Sequence, residues 1–590
     1  MPGDLVSAAK NPVGGHVVPA AGFHNPWLAI TRSELCASGF ALHDIHRRSA
    51  NYKPNIWKYD FLESLDSIYD GPEYKRRAEK LIEDVRIIFG EAVDSEAKLE
   101  LIDSVQKLGL AIHFDMEIKA ALDTIAIASI NKNNQSPGEV GPLYVTALCF
   151  KLLRQHGYGV SQDMFSGFMD EKTGTFRKST HEDIKGMLEL LEASHLALEG
   201  EDILDEAREF STTTLEEAIP NLDGHRAKQV AHALELPSHR RVQWFDVKWH
   251  INVKEKDRHT NAILLELAKL NFNVIQATLQ KDLKELSRWW RNLGLRESLS
   301  FARDRLVETF ICSVGFAFEP ENRCFRKWLT KVLILVAIID DVYDVYGTLE
   351  ELTHFTNAVT RWDVRETQQL PECMKTCFLA LYNTVNEFVN EVQREKGWDP
   401  LLPHLKKVWA GFCNALFVEA KWYNTGYTPS LEEYLSNAWI SSSGSVLLAH
   451  AFFCLEHKVT EEHENFMEKN KELLYNLSMI IRLCNDLGTS SAEVERGDAP
   501  SSILCYMREE NVLEEIARKH IEGMINRTWK RLNGQCFTQL PTLQPFINMA
   551  MNIARVVHGL YRHGDGFGVQ DGETRNNIQS LVVEPLIMHY

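Results

Sequence analysis

The sequence predicts an all-α protein made of two helical domains. Three observations carry that expectation. Apolar residues recur at the period of an amphipathic helix, helix-start signatures recur along the chain, and strand-like alternation is rare. From Tyr59 onward the helical pattern dominates; Leu101, Val105 and Leu108 fall on one helix face. Capping boxes are expected at Thr214 with Glu217, Thr348 with Glu351, and Ser430 with Glu433, each satisfying orphan N–H groups at a helix start. Breaks are expected at Asn133-Asn134-Gln135-Ser136-Pro137-Gly138, at Leu236-Pro237-Ser238-His239 and at Pro320-Glu321-Asn322. No repeat is visible, which argues against a solenoid. The charged run Lys254-Glu255-Lys256-Asp257-Arg258 precedes a long helical stretch. The chain therefore divides into a leader (1–46), a first helical domain (47–260) and a second (261–590).

Composition narrows the function. A chain of 590 residues exceeds one ordinary core, and 44% apolar with 25% charged residues is globular usage. Lys plus Arg is 64 and Asp plus Glu is 82, a net charge of −18. Such acidity argues against nucleic acid or anionic membrane as a partner and suits an enzyme that collects divalent cations. The 11 cysteines are odd in number and scattered, as reduced core thiols would be; Cys373 and Cys377 have no second pair nearby to complete a zinc site. No apolar run reaches the ~18 residues of a membrane span. Residues 1–46 are poor in acids and carry Pro2, Pro12, Pro19 and Pro26, the composition of an organelle-targeting leader or of a disordered tail.

Two polar clusters stand out on apolar helices. The unbroken apolar run Val332–Ile339 leads into Asp340-Asp341-Val342-Tyr343-Asp344. On an α-helix Asp340 and Asp344 stand about 40° apart, with Asp341 beside them. Carboxylates crowded at the end of a buried helix repel one another, and a hard cation such as Mg²⁺ or Mn²⁺ relieves that cost. A satisfied, solvated helix end is the bland alternative. The second cluster is Arg482, Asn485, Thr489 and Glu493, a stripe within roughly 80° of one helix face. Its oxygens form a ladder for a hard cation, with a guanidinium one turn earlier for an anion. Arg303 and Arg305, upstream of Asp340, suit a polyanion such as a phosphate or, equally, an internal pair with Asp304.

Together these elements resemble plant class I terpene synthases. Asp340-Asp341-Val342-Tyr343-Asp344 is similar to the family's aspartate-rich motif, and Asn485-Asp486-Leu487-Gly488-Thr489-Ser490-Ser491-Ala492-Glu493 to its second metal motif. Arg303-Asp304-Arg305 sits at the family's distance upstream. Arg47-Arg48, followed after eight residues by Trp57, resembles the tandem-arginine motif of the monoterpene synthases, and Glu419–Tyr423 and Arg496-Gly497-Asp498 also look familiar. The resemblance covers residues 47–590. It implies an N-terminal relictual α-barrel, a C-terminal class I terpenoid synthase bundle, and a prenyl diphosphate as small-molecule partner. It implies that Asp340, Asp344, Asn485, Thr489 and Glu493 hold three Mg²⁺, or Mn²⁺ in their place. Arg303, Arg305, Arg482, Asn485, Asp340 and Asp344 would bind the substrate, with Asp340, Asp341, Asp344 and Arg303 as the catalytic group and Arg47-Arg48 over the mouth.

The implied reaction is ionisation of geranyl diphosphate to a ten-carbon terpene in a plastid, by a monomer or weak homodimer. The alternatives are a sesquiterpene synthase acting on farnesyl diphosphate, a cytosolic location, and a non-catalytic helical scaffold. Tyr343, Trp439, Tyr561 and Phe567 are candidates to stabilise a carbocation by their ring faces, or are plain core. Ser441-Ser442-Ser443-Gly444-Ser445 reads as a helix kink beside the pocket. The sequence departs from the family pattern at Cys312, where a pocket tryptophan is usual. That predicts more room at one wall, favouring an acyclic product or a longer chain. Leu333 faces the same side as Asp340 and offers nothing to position water. Ser501 replaces a lysine near the diphosphate.

Overall fold

Helices make up the regular structure of the computed structural model, and among the described residues there is no β-strand beyond an isolated bridge between Met169 and Phe176. Residues 47, 50 and 52–588 are described, apart from 134–140, 171, 178–182, 398–400, 456–468, 497–499, 538–542 and 571. The leader, Arg48 and Arg496-Gly497-Asp498 thus fall outside the description wholly or in part. Arg47 belongs to a separate unit, Met1–Arg47, and all that follows concerns the unit Arg48–Tyr590.

The predicted helix face near residue 100 forms as Ser95–Lys107, with Leu99, Ile102 and Val105 buried; Leu108 caps it, and Leu101 lies on the flank. Thr348 and Glu351 make the expected reciprocal capping box. Ser430 accepts from Glu433 N at 3.1 Å, but the Glu433 carboxylate turns to the Tyr427 hydroxyl instead. The box expected at Thr214 does not form. Thr214 lies inside the helix Asp202–Ala218 and donates back to Phe210 O at 2.8 Å. The buried face of Leu204, Ala207 and Leu215 carries the helix through the threonine, which bonds its own preceding turn. Two of the expected breaks occur as short 3₁₀ turns, Ser238–Arg240 and Pro320–Asn322, and the one at 133–138 lies outside the described residues but for Asn133.

The longest helix, Ala262–Leu293, begins at an Asn261 cap right after the charged run and ends at Gly294 (φ 67°). It is paired with the first metal-motif helix through a fully buried Asp282–Arg326 ion pair at 2.7 Å. One continuous apolar core runs from Trp57 to Val582, and a smaller one lies within Leu143–Val230. Ala262–Leu293 and the stretch Leu431–Leu455 are long and apolar enough to cross a membrane, but 67% and 72% of those windows are buried inside the protein. Their apolarity is that of core helices.

Eight helices position the site: α1 (Leu306–Phe316), α2 (Arg323–Asp341), α3 (Glu372–Lys396), α4 (Leu402–Thr425), α5 (Leu431–Ser441), α6 (Gly444–Leu455), α7 (Lys471–Arg496) and α8 (Gln544–Leu560). The serine-rich kink is real. Helix α5 stops at Ser441, Ser443 takes φ 65°, and α6 starts at Gly444, where a Cβ would stand 2.2 Å from Ser478 Oγ.

Buried histidines sit where the 238–240 turn meets the helix Glu514–Phe537 and α8. His239 Nε2 bonds Asn533 Oδ1 at 2.8 Å, and Trp529 Nε1 donates to His558 Nδ1 at 3.1 Å. Burial, reinforced by Arg555 and Arg240, lowers His239 to about 3; burial with Arg240 and Arg562 does the same to His558. Both are neutral in the fold and titrate near 6.5 once unfolded. The stability they contribute is therefore complete above pH 6.5 and is lost as the pH falls toward 3. The unfolding free energy from denaturant titrations across that window should fall by up to about 1.4 kcal/mol per pH unit for each histidine. His239→Asn and His558→Asn should flatten that limb; a limb identical to wild type would refute the assignment.

Candidate metal and diphosphate site

From Val332 onward helix α2 is buried except along one stripe. Leu333, Val336 and Asp340 are only half-buried, whereas Ile334, Leu335 and Ile339 are sealed in the core. That stripe is the face on which Asp340 was expected. Beyond Asp341 the helix widens into a π-turn, Val342–Tyr346, so Asp344 is presented on a wider turn than α-helical spacing predicts. Asp344 is exposed. Asp340 Oδ2 accepts from Arg303 Nη2 at 2.7 Å. Asp341 differs from the catalytic role expected of it. It is fully buried and accepts from Tyr52 Oη at 2.8 Å and Arg303 N at 2.7 Å, with Arg303 Nε 2.9 Å away. Its carboxylate is consumed in holding Arg303. Burial opposes the charge on Arg303, but Asp341, Asp340 and Asp565 outweigh it and raise its pKa.

Arg305 also departs from expectation. It is buried, and its guanidinium donates to Gly568 O at 2.9 Å and to Asp304 O at 3.1 Å. It ties down the 561–570 loop instead of facing a ligand. The same loop is clamped by the N-terminal strap: Ile56 N donates to Gln570 Oε1 at 3.1 Å, and Trp57 Nε1 and Gln570 Nε2 both donate to Glu308 Oε1, at 3.1 and 2.7 Å.

The second stripe lies on α7. Arg482, Asn485 and Glu493 are half-buried, and Thr489 Oγ1 donates to Asn485 O at 2.8 Å, keeping its lone pairs available. Asp486, between them, points away to accept from Tyr434 Oη at 3.0 Å and Ser502 N at 2.9 Å. Arg482 reaches across to α5, donating to Ser441 Oγ at 3.0 Å. The two stripes share one electrostatic field. Burial opposes the charge on Arg482, but Tyr434, Glu419, Asp486 and Asp340 of α2 raise its pKa. Tyr561 lies beside Asn485 and within electrostatic range of Arg303 and Cys312. The Asp, Asn, Thr and Glu oxygens of the two stripes, with no sulfur or imidazole among them, are of the kind a hard divalent cation takes. Two guanidiniums border it, suited to phosphate oxygens.

Residues 291–531 match the model of the terpene synthase family metal-binding domain, and residues 56–234 that of the terpene synthase N-terminal domain. The chain belongs to the terpene synthase family. It is 60% identical over 542 residues to an alpha-farnesene synthase of Ricinus communis, covering 91% of this chain and 95% of that one. It is 62% identical over 548 residues to an (E,E)-alpha-farnesene synthase of Malus domestica, covering 92% and 94%. Among solved structures it resembles the isoprene synthase of grey poplar leaves in complex with three Mg²⁺ ions and dimethylallyl-S-thiolodiphosphate. That match has a TM-score of 0.82 at 44% identity and covers 90% of this chain and 99% of that one. The all-α class I terpene synthase fold and the prenyl-diphosphate lyase activity of the family are thereby established, with a divalent metal as cofactor.

The ten-carbon expectation is corrected by the same comparison. The relatives at 60% and 62% identity are named for farnesene, a fifteen-carbon hydrocarbon. The tandem-arginine motif that suggested geranyl diphosphate belongs to the N-terminal segment of a terpene synthase and does not measure the depth of its reaction cavity. The small side chain at Cys312 was the expectation that allowed a longer chain or an acyclic product.

The aromatic candidates separate. Tyr561 and Phe567 reach the site, the latter with its ring 5.9 Å from the Arg303 guanidinium carbon. Tyr343 is core, bonded to Thr356 Oγ1 at 2.7 Å and packed on Phe355. Trp439 lines a surface groove beside Tyr475. Ser501 caps the helix Ser502–Glu510. Sequence reasoning missed Tyr52, Glu419, Asp565 and Tyr434, whose places depend on contacts between distant segments. Only Glu419 carried a signal, within the family-like stretch Glu419–Tyr423; it is buried, with Ser441 Oγ donating to it and Arg482 close by.

Proposed function

We propose that this terpene synthase ionises farnesyl diphosphate and releases diphosphate and an acyclic fifteen-carbon tetraene, α-farnesene. The observation that carries this reading is the 60–62% identity to two farnesene synthases across more than nine-tenths of each chain. The small side chain at Cys312, where the family usually carries a tryptophan, supports it. Asp340, Asp344, Asn485, Thr489 and Glu493 would hold three divalent ions, as many as the isoprene synthase complex contains. Mg²⁺, or Mn²⁺ in its place, supplies positive charge against the departing diphosphate. Arg303 and Arg482, both kept cationic by the carboxylates around them, bind its oxygens and stabilise the charge as the C–O bond breaks. The strap at Tyr52–Trp57, clamped to Glu308 and Gln570, keeps water from the allylic cation. Tyr561 and Phe567 face the cation, which loses one proton to become the neutral tetraene. The N-terminal domain ends near residue 260.

The enzyme fed farnesyl and geranyl diphosphate side by side should yield α-farnesene with Mg²⁺, by gas chromatography. Chelation with EDTA should stop diphosphate release, and Mg²⁺ should restore it. Turnover confined to the ten-carbon substrate, or turnover that survives chelation, would overturn the reading.

A further inference from the structure

The N-terminal strap and the 561–570 loop come from opposite ends of the chain, yet both meet the same guanidinium. Tyr52 of the strap places its ring 5.1 Å from the Arg303 guanidinium carbon, and Phe567 of the loop lies 5.9 Å from that carbon. The two segments are also tied to each other, through Ile56 N and Gln570 Oε1 at 3.1 Å. Tyr52 does more than cover Arg303. Its hydroxyl donates to Asp341 Oδ1 at 2.8 Å, while the other oxygen of that carboxylate accepts from Arg303 N at 2.7 Å. Arg303 Nε stands 2.9 Å from Asp341 Oδ1 as an ion pair but makes no aligned hydrogen bond. Asp341 is fully buried, so a donor lost there leaves a charged oxygen short of a partner.

We propose that Tyr52 is a positioning residue for the ionisation step: by locking Asp341 it sets the Arg303 guanidinium against the diphosphate, so that the strap completes the anion site as well as covering it. The inference rests on the reading that Arg303 binds diphosphate. Asp341 has two oxygens with which to steer a five-donor fork. One fixes the Arg303 backbone, and the other is held by the Tyr52 hydroxyl. Without that hydroxyl the carboxylate turns to pair with Nε and draws the fork away from Asp340 Oδ2, to which Nη2 donates at 2.7 Å. With it, the carboxylate stays fixed and the fork keeps donors for a ligand. The linkage is reciprocal, so diphosphate that engages Arg303 also holds the strap down.

Calorimetric titration of the full-length enzyme with inorganic diphosphate in excess Mg²⁺ tests this, because that ion carries the charge the leaving group acquires. Tyr52→Phe keeps the ring and loses only the hydroxyl. It should bind diphosphate about tenfold or more weakly and lose a similar factor in kcat, with KM for farnesyl diphosphate little changed. In Arg303→Ala, already weakened, adding Tyr52→Phe should cost nothing further, whereas a residue that only supports the fold would cost the same in either background. Mg²⁺ with diphosphate should slow amide exchange in the strap of wild type and not of Tyr52→Phe. Wild-type diphosphate binding by Arg303→Ala would remove the diphosphate reading and the positioning role together. Weakened binding by Arg303→Ala beside wild-type binding by Tyr52→Phe, or equal losses from Tyr52→Phe in both backgrounds, would overturn the positioning role alone.

Discussion

Asp340→Ala and Asp344→Ala are each expected to lose at least about 10²–10³-fold in kcat, the scale on which removing one preorganised partner of developing charge acts. Asp340 loses more than a ligand. Its carboxylate also fixes Arg303 Nη2 at 2.7 Å, so the alanine frees a guanidinium meant for the diphosphate. Asp344 is exposed on the π-turn, and its loss should leave the fold intact. The thermal melt of Asp344→Ala should match wild type within about 0.5 kcal/mol, as for surface changes generally. Diphosphate release that continues at the wild-type rate in either variant would remove the metal assignment.

Cys312→Trp is expected to act on chain length. Cys312 is buried on α1, within electrostatic range of Tyr561. Burial pushes its thiol up to about 12, so it stands there as a small neutral group. Nearby on α1 the helix has no room to retreat: a Cβ on Gly315 would meet Val556 at 2.4 Å and Phe245 at 3.0 Å. An indole at 312 is therefore expected to crowd the Tyr561 side and to take the space of the distal isoprene unit. The kcat/KM for farnesyl diphosphate should fall by about 10–200-fold, the range over which apolar pockets discriminate by size. Shorter substrates should suffer less, which reverses the preference in a competition assay. Cys312→Ala, which leaves the room, should keep the wild-type preference and serves as the folding control. An unchanged preference in Cys312→Trp would show that this wall does not set chain length.

The metal-binding stripes were legible in the sequence because both lie on helices, where the period alone fixes which residues share a face. Asp340 with Leu333, and Arg482 with Asn485, Thr489 and Glu493, needed no knowledge of the rest of the chain. Reading failed where a side chain's partner comes from a distant segment. Asp341 looked like its neighbours until Tyr52, 289 residues away, was found hydrogen-bonded to it. Arg305 looked like Arg303 until Gly568, 263 residues away, took its guanidinium. Thr214 matched a helix start, but a buried apolar face ran through it. The π-turn at Val342–Tyr346 bends the very motif whose α-helical angles had been assumed.

By itself the sequence determined that the chain is helical and that two helix faces carry oxygens suited to a hard cation. Those properties follow from side-chain chemistry and from a period of 3.6 residues, both local. Tertiary structure alone decided which aspartates remain open to a ligand and which is spent on Arg303, and which aromatic rings lie near the two polar stripes. Those outcomes depend on packing between segments hundreds of residues apart, and burial and hydrogen bonding there are set by neighbours that no local pattern records.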